Sequence, residues 1–296
     1  MNPLRPWRAL FVREYLEHRI AFQWVPLGIL VLITLSGISA LSLGRIPDLE
    51  GGMLPYSLKI FELAYLALLA LWLAYLAFAM FFYFGDAFSA DRRNNAMLFW
   101  KSMPVSDLTI LASKTIAGLL LFPLIVFLIG VLSGVVFFLL VNIGSFVVPA
   151  IGPIEPMAGL VSLYEITLFG LVYYGLGLLW YAPFFAWVGG LSTVFGRWSL
   201  PLAFVIPGLL AVVENVALFQ QGPLGGYVWA YLSRRWNFGL DGVGWERLLS
   251  NPGLFHADRA IAQLAASIDW TQMGIGLAFA IVVIWIASEY RRRRIA

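Results

Sequence analysis

Three carboxylates lie where a carboxylate is costly. Glu62, Glu165 and Glu214 fall within or beside long apolar stretches, with Asp86 at the end of another. An ionised carboxylate at the centre of a bilayer costs on the order of 3 kcal/mol, so it must face a cavity, a partner or the protein interior. Glu214, flanked by Val212, Val213, Val216 and Ala217, feels this constraint most. Two readings are open. It contacts a substrate, a proton or a cation, or it is a structural carboxylate, protonated or hydrogen-bonded to Asn215 or to the polar segment that follows. Glu62 and Glu165 lie nearer the ends of their stretches, where snorkelling to water also accounts for them.

Other chemistry is excluded by type and spacing. There is no cysteine, hence no disulfide, thiolate metal site or cysteine nucleophile. No G-x-x-x-x-G-K-[ST] loop occurs, and the only lysines are Lys59, Lys101 and Lys114, so the chain binds no nucleotide through a P-loop of its own. H-E-x-x-H and G-x-S-x-G are absent. The only histidines, His18 and His256, fall on opposite sides of the expected membrane, which disfavours a histidine-built metal site. No catalytic set, resident cofactor or metal is expected, and the chain is not expected to be an enzyme.

The most informative polar stretch runs from Asp86 to Lys114, DAFSADRRNNAMLFWKSMPVSDLTILASK. It carries both signs of charge and then Met97, Leu98, Phe99 and Trp100. A solvated loop obeying the positive-inside rule explains Arg92 and Arg93 but not Leu98-Phe99-Trp100, which either rests on the lipid interface or docks a partner. Asp86 or Ser89 is placed to start a short helix through Asp91-Arg92-Arg93. Ser106, with Asp107 behind it, is placed to cap the next apolar helix at its positive dipole end.

The elements that position these residues are membrane spans. Residues are 61% apolar and only 12% charged, well outside the range of soluble domains. Crossing about 30 Å of hydrocarbon takes roughly 20 apolar residues. Six stretches qualify: 20–43, 60–85, 110–141, 163–195, 199–219 and 271–288. The fourth is longer than one crossing needs, so it tilts, starts at the interface or breaks at Pro183. Its aromatic residues (Tyr173, Tyr174, Trp180, Tyr181, Phe184, Phe185, Trp187) fit interfacial belts, helix packing or a substrate lining. Gly130-x-x-x-Gly134 offers a close-packing face.

Residues 4–20 read as an interfacial helix, with Arg13, Glu14, Glu17 and His18 on one arc and Trp7, Phe11, Val12, Tyr15 and Leu16 on the other. No removable signal peptide is expected ahead of it. Residues 220–270 form a helical outer cap, with short amphipathic helices at Tyr227 to Leu232 and Arg259 to Trp270. With the N-terminus inside, short outer loops hold only Arg45 and Lys59. Arg5, Arg8, Arg13, Arg19, Arg92, Arg93, Lys101, Lys114, Arg197 and Arg291 to Arg294 all fall inside. The positive-inside rule therefore places both termini in the cytoplasm of a cell (inner or plasma) membrane. The terminal arginines read as an anchor on anionic lipid. The net charge of +3 marks no nucleic-acid-binding face.

At this point the residues resemble a known family. DRRNNAMLFWKSMPVSDLTILASK is similar to the loop after the second span in ABC-2 type transporter permeases, and LLWYAPFFAWVGGLSTVFGRWS (178–199) to the end of their fourth span. The resemblance covers most of the chain and is weakest over 220–270. It implies a single transmembrane permease domain over 1–296: an all-α fold of six spans, an interfacial helix at 4–20, a cytoplasmic coupling helix within 86–108 and the outer cap. It further implies an exporter of two permease copies, with ATP and magnesium held by separate ATPase subunits. Asp91, Arg92, Arg93, Asn94, Leu98, Phe99, Trp100 and Lys101 would then contact the ATPase, with the N-terminal helix beside them. The competing expectation is an ATP-independent carrier or channel using Glu214 as its ion site.

Overall fold

The structure, a computed structural model, describes residues 4–42, 57–93, 106–147, 152–218, 226–236, 238 and 255–294. All regular structure among them is helical: α1 (Leu4–Arg19), α2 (Val25–Ser42), α3 (Ser57–Arg93), α4 (Asp107–Ile116), α5 (Phe122–Val147), α6 (Pro156–Phe195), α7 (Ser199–Val213), α8 (Tyr227–Trp236), α9 (Ala257–Ser267) and α10 (Trp270–Arg294). Five helical runs among the described residues are long and apolar enough to cross a membrane: Trp7–Ser42, Ser57–Ala90, Asp107–Val147, Pro156–Val216 and Trp270–Arg293. The chain is a multi-pass helical membrane protein.

Two joints follow from proline. One π-helical turn, Ile20–Trp24, connects α1 to α2 and ends two residues before Pro26; another, Ala117–Leu121, connects α4 to α5 and ends two residues before Pro123. Proline removes one backbone N–H and crowds the carbonyl four residues back. A wider turn at that point relieves the clash. The two joints meet: Phe22 stacks on Phe122 with centroids 4.2 Å apart and planes within 10°. Pro183 causes no break, and α6 is continuous from Pro156 to Phe195.

The centre of the bundle is α3. Phe61, Tyr65, Leu69, Trp72, Leu76, Met80, Tyr83 and Ala87 recur every three or four residues and are all buried, forming one stripe along the helix. In lipid the packing of that stripe is held by shape and interhelical hydrogen bonds more than by expulsion of water. Against α3 lies α6, in the same direction: Tyr65 bonds Thr167 at 2.8 Å, Tyr174 donates to the Leu69 carbonyl at 2.6 Å, and Phe84 stacks on Phe185. α5 packs antiparallel, with Trp72 donating to Ser133 at 3.2 Å. α2 runs beside α5, and α10 lies along the other flank of α6. At Gly196, with φ 56°, the chain turns back. α7 then retraces α6 and α3, so that Ser199 donates to the Gly85 carbonyl at 2.9 Å and Phe204 stacks on Phe81.

The stretches expected at 60–85, 110–141, 163–195 and 271–288 lie inside helical runs that extend beyond them; those expected at 20–43 and 199–219 are helical as far as Ser42 and Leu218, and Leu43 and Phe219 lie outside the described residues. The expected separate helix starting at Asp86 or Ser89 is instead the last turns of α3, which continues unbroken to Arg93. Nothing in FGDAFSADRR stops a helix; no proline or cap interrupts it. The short helices foreseen before the last span are α8 and α9.

Candidate functional site

α3 ends at Arg93 and α4 begins at Asp107, the points at which the chain exits and re-enters the described helices. Asp91, Arg92 and Arg93 form the last residues of α3, while Asn94, Leu98, Phe99, Trp100 and Lys101 lie outside the described residues. Re-entry is capped as expected: the Ser106 hydroxyl accepts the Thr109 N–H at 3.2 Å, and Asp107 follows in the first turn. Capping by serine and a carboxylate at the helix start both stabilise α4 locally.

Buried charge then ties these roots together. Lys114, 1% exposed, places its Nζ 3.0 Å from Oε1 of Glu14, itself 2% exposed. The Tyr83 hydroxyl sits between them, 3.1 Å from Glu14 Oε2 and 2.8 Å from the Lys114 carbonyl. His18 stands one turn on, Nε2 3.9 Å from Glu14, its ring edge-on to Tyr83. The polar arc of α1 was expected to face water. Instead Glu14 and His18 turn inward to meet Lys114, and Val12 and Leu16 are exposed. The outward side of α1 is an open face carrying Arg8, Ala9, Val12, Arg13, Leu16 and Glu17. A second tie comes from the last helix. Arg291, 1% exposed, donates from Nη1 to the Phe88 carbonyl at 3.1 Å and holds Nε 3.6 Å from Asp107. Its neighbours behave differently: Arg292 and Arg293 are exposed and pair with Glu289 at 2.8 and 2.6 Å.

At the opposite end, the three carboxylates singled out from sequence all bind the segment before α10. Glu62, 1% exposed, accepts the Ser162 hydroxyl at 2.7 Å and the Phe255 N–H at 3.1 Å on Oε1, and Lys59 at 3.2 Å on Oε2. Glu165 accepts the Ala257 N–H at 2.7 Å, at the start of α9. Glu214 accepts the Tyr227 and Val228 N–H groups at 3.0 and 2.7 Å, one on each oxygen, at the start of α8. Carboxylates here satisfy orphan N–H groups and oppose the positive ends of two helix dipoles. Glu214→Ala is expected to cost about 1 kcal/mol locally, the value of a lost cap. It should speed amide exchange at Tyr227–Ala230 several-fold, and unchanged exchange there would refute the capping role.

The cation that sequence reading passed over is Arg235. It is 1% exposed, its guanidinium 4.5 Å from the Trp180 ring centroid and 5.7 Å from that of Tyr231. Its donors go to the carbonyls of Trp180, at 3.0 Å, and Gln272, and to the Tyr231 hydroxyl at 3.3 Å. Gly276 makes the room, since a Cβ there would lie 2.3 Å from Nη2. The aromatic residues of α6 serve the same segment: Trp180 donates to the Arg235 carbonyl at 2.8 Å, Tyr181 to that of Trp236 at 2.8 Å, and Tyr173 to that of Phe238 at 3.2 Å. The only hint in the sequence was Arg235 among Trp229, Tyr231 and Trp236.

Among the described residues no group of three or more His, Asp or Glu side chains is placed to hold a metal. No protein-family model, no curated protein and no solved structure matches this chain. The functional reading therefore stands on these residues and their placement.

Proposed function

We propose that this chain is the permease subunit of an ABC-2 type transporter, moving its substrate outward across the cell membrane with energy from a separate ATPase. Helix directions alternate along the chain, with the run Pro156–Val216 doubled back at Gly196. Counting that run twice gives six crossings, with both termini on the cytoplasmic side by the positive-inside rule. The observation that carries the proposal is the connection at 94–105. Together with Ser106 and Asp107 it bears the LFWKS-x-PVSD string, and both of its roots are fixed by buried charge, through Arg291 and through Lys114 with Glu14. A hydrolysing partner can do work on a membrane bundle only through a contact that does not give way locally. An aromatic segment that follows Arg92 and Arg93 on a braced base meets that need. The open face of α1, with Arg8, Arg13 and Glu17 among apolar residues, lies on the same part of the bundle and extends the partner surface. Two copies of the chain form the pathway in this reading.

Phe99→Asp and Arg93→Glu test it. Each variant should insert and accumulate in the membrane as the wild type does, yet lose copurification of the ATPase at least 30-fold, the scale of an interface hot spot. Wild-type retention of the ATPase by both variants would remove the basis of the proposal.

A further inference from the structure

Arg291 touches both roots of the connection at once. Its Nη1 bonds the Phe88 carbonyl near the end of α3, and its Nε faces Asp107 at the first residue of α4. The residue belongs to neither helix; it is part of α10. At the other end of α10, the Gln272 carbonyl accepts from Arg235 of α8, and Glu214 holds the start of α8. One continuous helix, Trp270–Arg294, thus carries a buried guanidinium contact near each end. Between them it packs closely on α6, where Gly190 leaves room for Val283.

We infer that Arg291 is a positioning residue that joins the end of α3 and the start of α4 to α10, and that α10 is the rod carrying displacement of these two helix ends to Tyr227–Trp236 at the opposite end. The inference deepens the permease reading and rests on it for the source of the displacement. The physics is that of a rigid element held by buried guanidinium contacts at both ends. A helix does not shorten appreciably under load, and a buried arginine hydrogen-bonded to a carbonyl and paired at 3.6 Å with a carboxylate does not slide as an exposed one does. The arginine run thereby divides by role. Arg292 and Arg293 are solvent- and Glu289-facing, and Arg291 alone of the three is built into the bundle.

The test uses the full chain in lipid nanodiscs, with Arg291→Gln set against the control Arg292→Gln/Arg293→Gln. Without any partner, Arg291→Gln should speed amide exchange at least tenfold in the last turn of α3 and the first turn of α4, while the control matches wild type. Unchanged exchange at both roots would overturn the joint. With the ATPase and ATP added, Arg291→Gln should still copurify the ATPase but lose the nucleotide-induced change in exchange at Tyr227–Trp236. A full nucleotide response in that variant would overturn the rod. If the wild type captures no ATPase, the permease reading and the rod fail together, and the partner-free exchange measurement still decides the joint.

Discussion

Lys114→Met is expected to lower stability by about 3–5 kcal/mol, and the double variant Glu14→Leu/Lys114→Met to recover most of that loss. The asymmetry follows from burial. Glu14 and Lys114 are both removed from solvent and sit 3.0 Å apart. Desolvating two charges consumes most of what their attraction returns, so the pair itself contributes little net stability. Removing one partner leaves the other charged, buried and unmatched, which is the costly state. Removing both and filling the space with Leu and Met keeps the volume and abolishes the desolvation penalty. Tyr83 keeps a partner in either case, because the Lys114 carbonyl remains 2.8 Å away. Unfolding in detergent of the wild type, both single variants and the double variant gives the coupling energy directly. Additive losses would show that the two side chains do not depend on each other.

Gly134→Ala comes next, with an expected loss near the upper end of about 1–3 kcal/mol, the usual penalty for overpacking. A Cβ at this position would lie 2.4 Å from Cε2 of Tyr65. That ring has nowhere to go: Tyr65 is 0% exposed, its hydroxyl bonds Thr167 at 2.8 Å, and it stacks on Phe61. Either the Thr167 bond breaks or α3 and α5 separate. The control is Gly28→Ala in α2, where a Cβ meets nothing within 4 Å and alanine favours the helix by about 1 kcal/mol. Thermal unfolding of the two variants in the same detergent should move in opposite directions. A Gly134→Ala protein as stable as wild type would mean that the α3–α5 approach is looser than these distances.

Much of the architecture was legible because the signals are local. Apolar runs marked the helices, Ser106 marked its cap, and Gly130-x-x-x-Gly134 marked a face that does pack closely, on Leu69, Trp72 and Tyr65 of α3. Helix ends were less visible, since hydropathy reports where a helix is greasy and not where it stops; α3 runs through Asp86 to Arg93 with Ala87, Phe88 and Ala90 buried against its neighbours. The charged contacts were hidden for a different reason. Glu14 with Lys114, Arg291 with Asp107 and Arg235 with Trp180 pair residues from 55 to 184 positions apart, and a one-dimensional pattern carries no information on which distant helices touch. Lys114 and Arg291 had been read as members of a basic surface, a statistical role that buried residues also satisfy. Glu214 stood out as needing a partner, whereas snorkelling to water was an equal account of Glu62 and Glu165. That all three would close on the backbone of one segment was not visible, since backbone N–H groups have no sequence signature.

The two π-helical turns linked to proline have a consequence for inheritance. A turn of this kind holds one residue more than the helix around it, so Ile20–Trp24 and Ala117–Leu121 each contain a residue whose removal would let the helix close up without a gap. Losing a residue from the regular helix beside them would instead turn everything upstream by about 100° and swing Glu14 off Lys114. A one-residue deletion is thus absorbed within these two turns and not in the helices that flank them. Letters there are less free, since Phe22 is buried on Phe122 and a Cβ at Gly118 would lie 2.8 Å from the Phe84 ring.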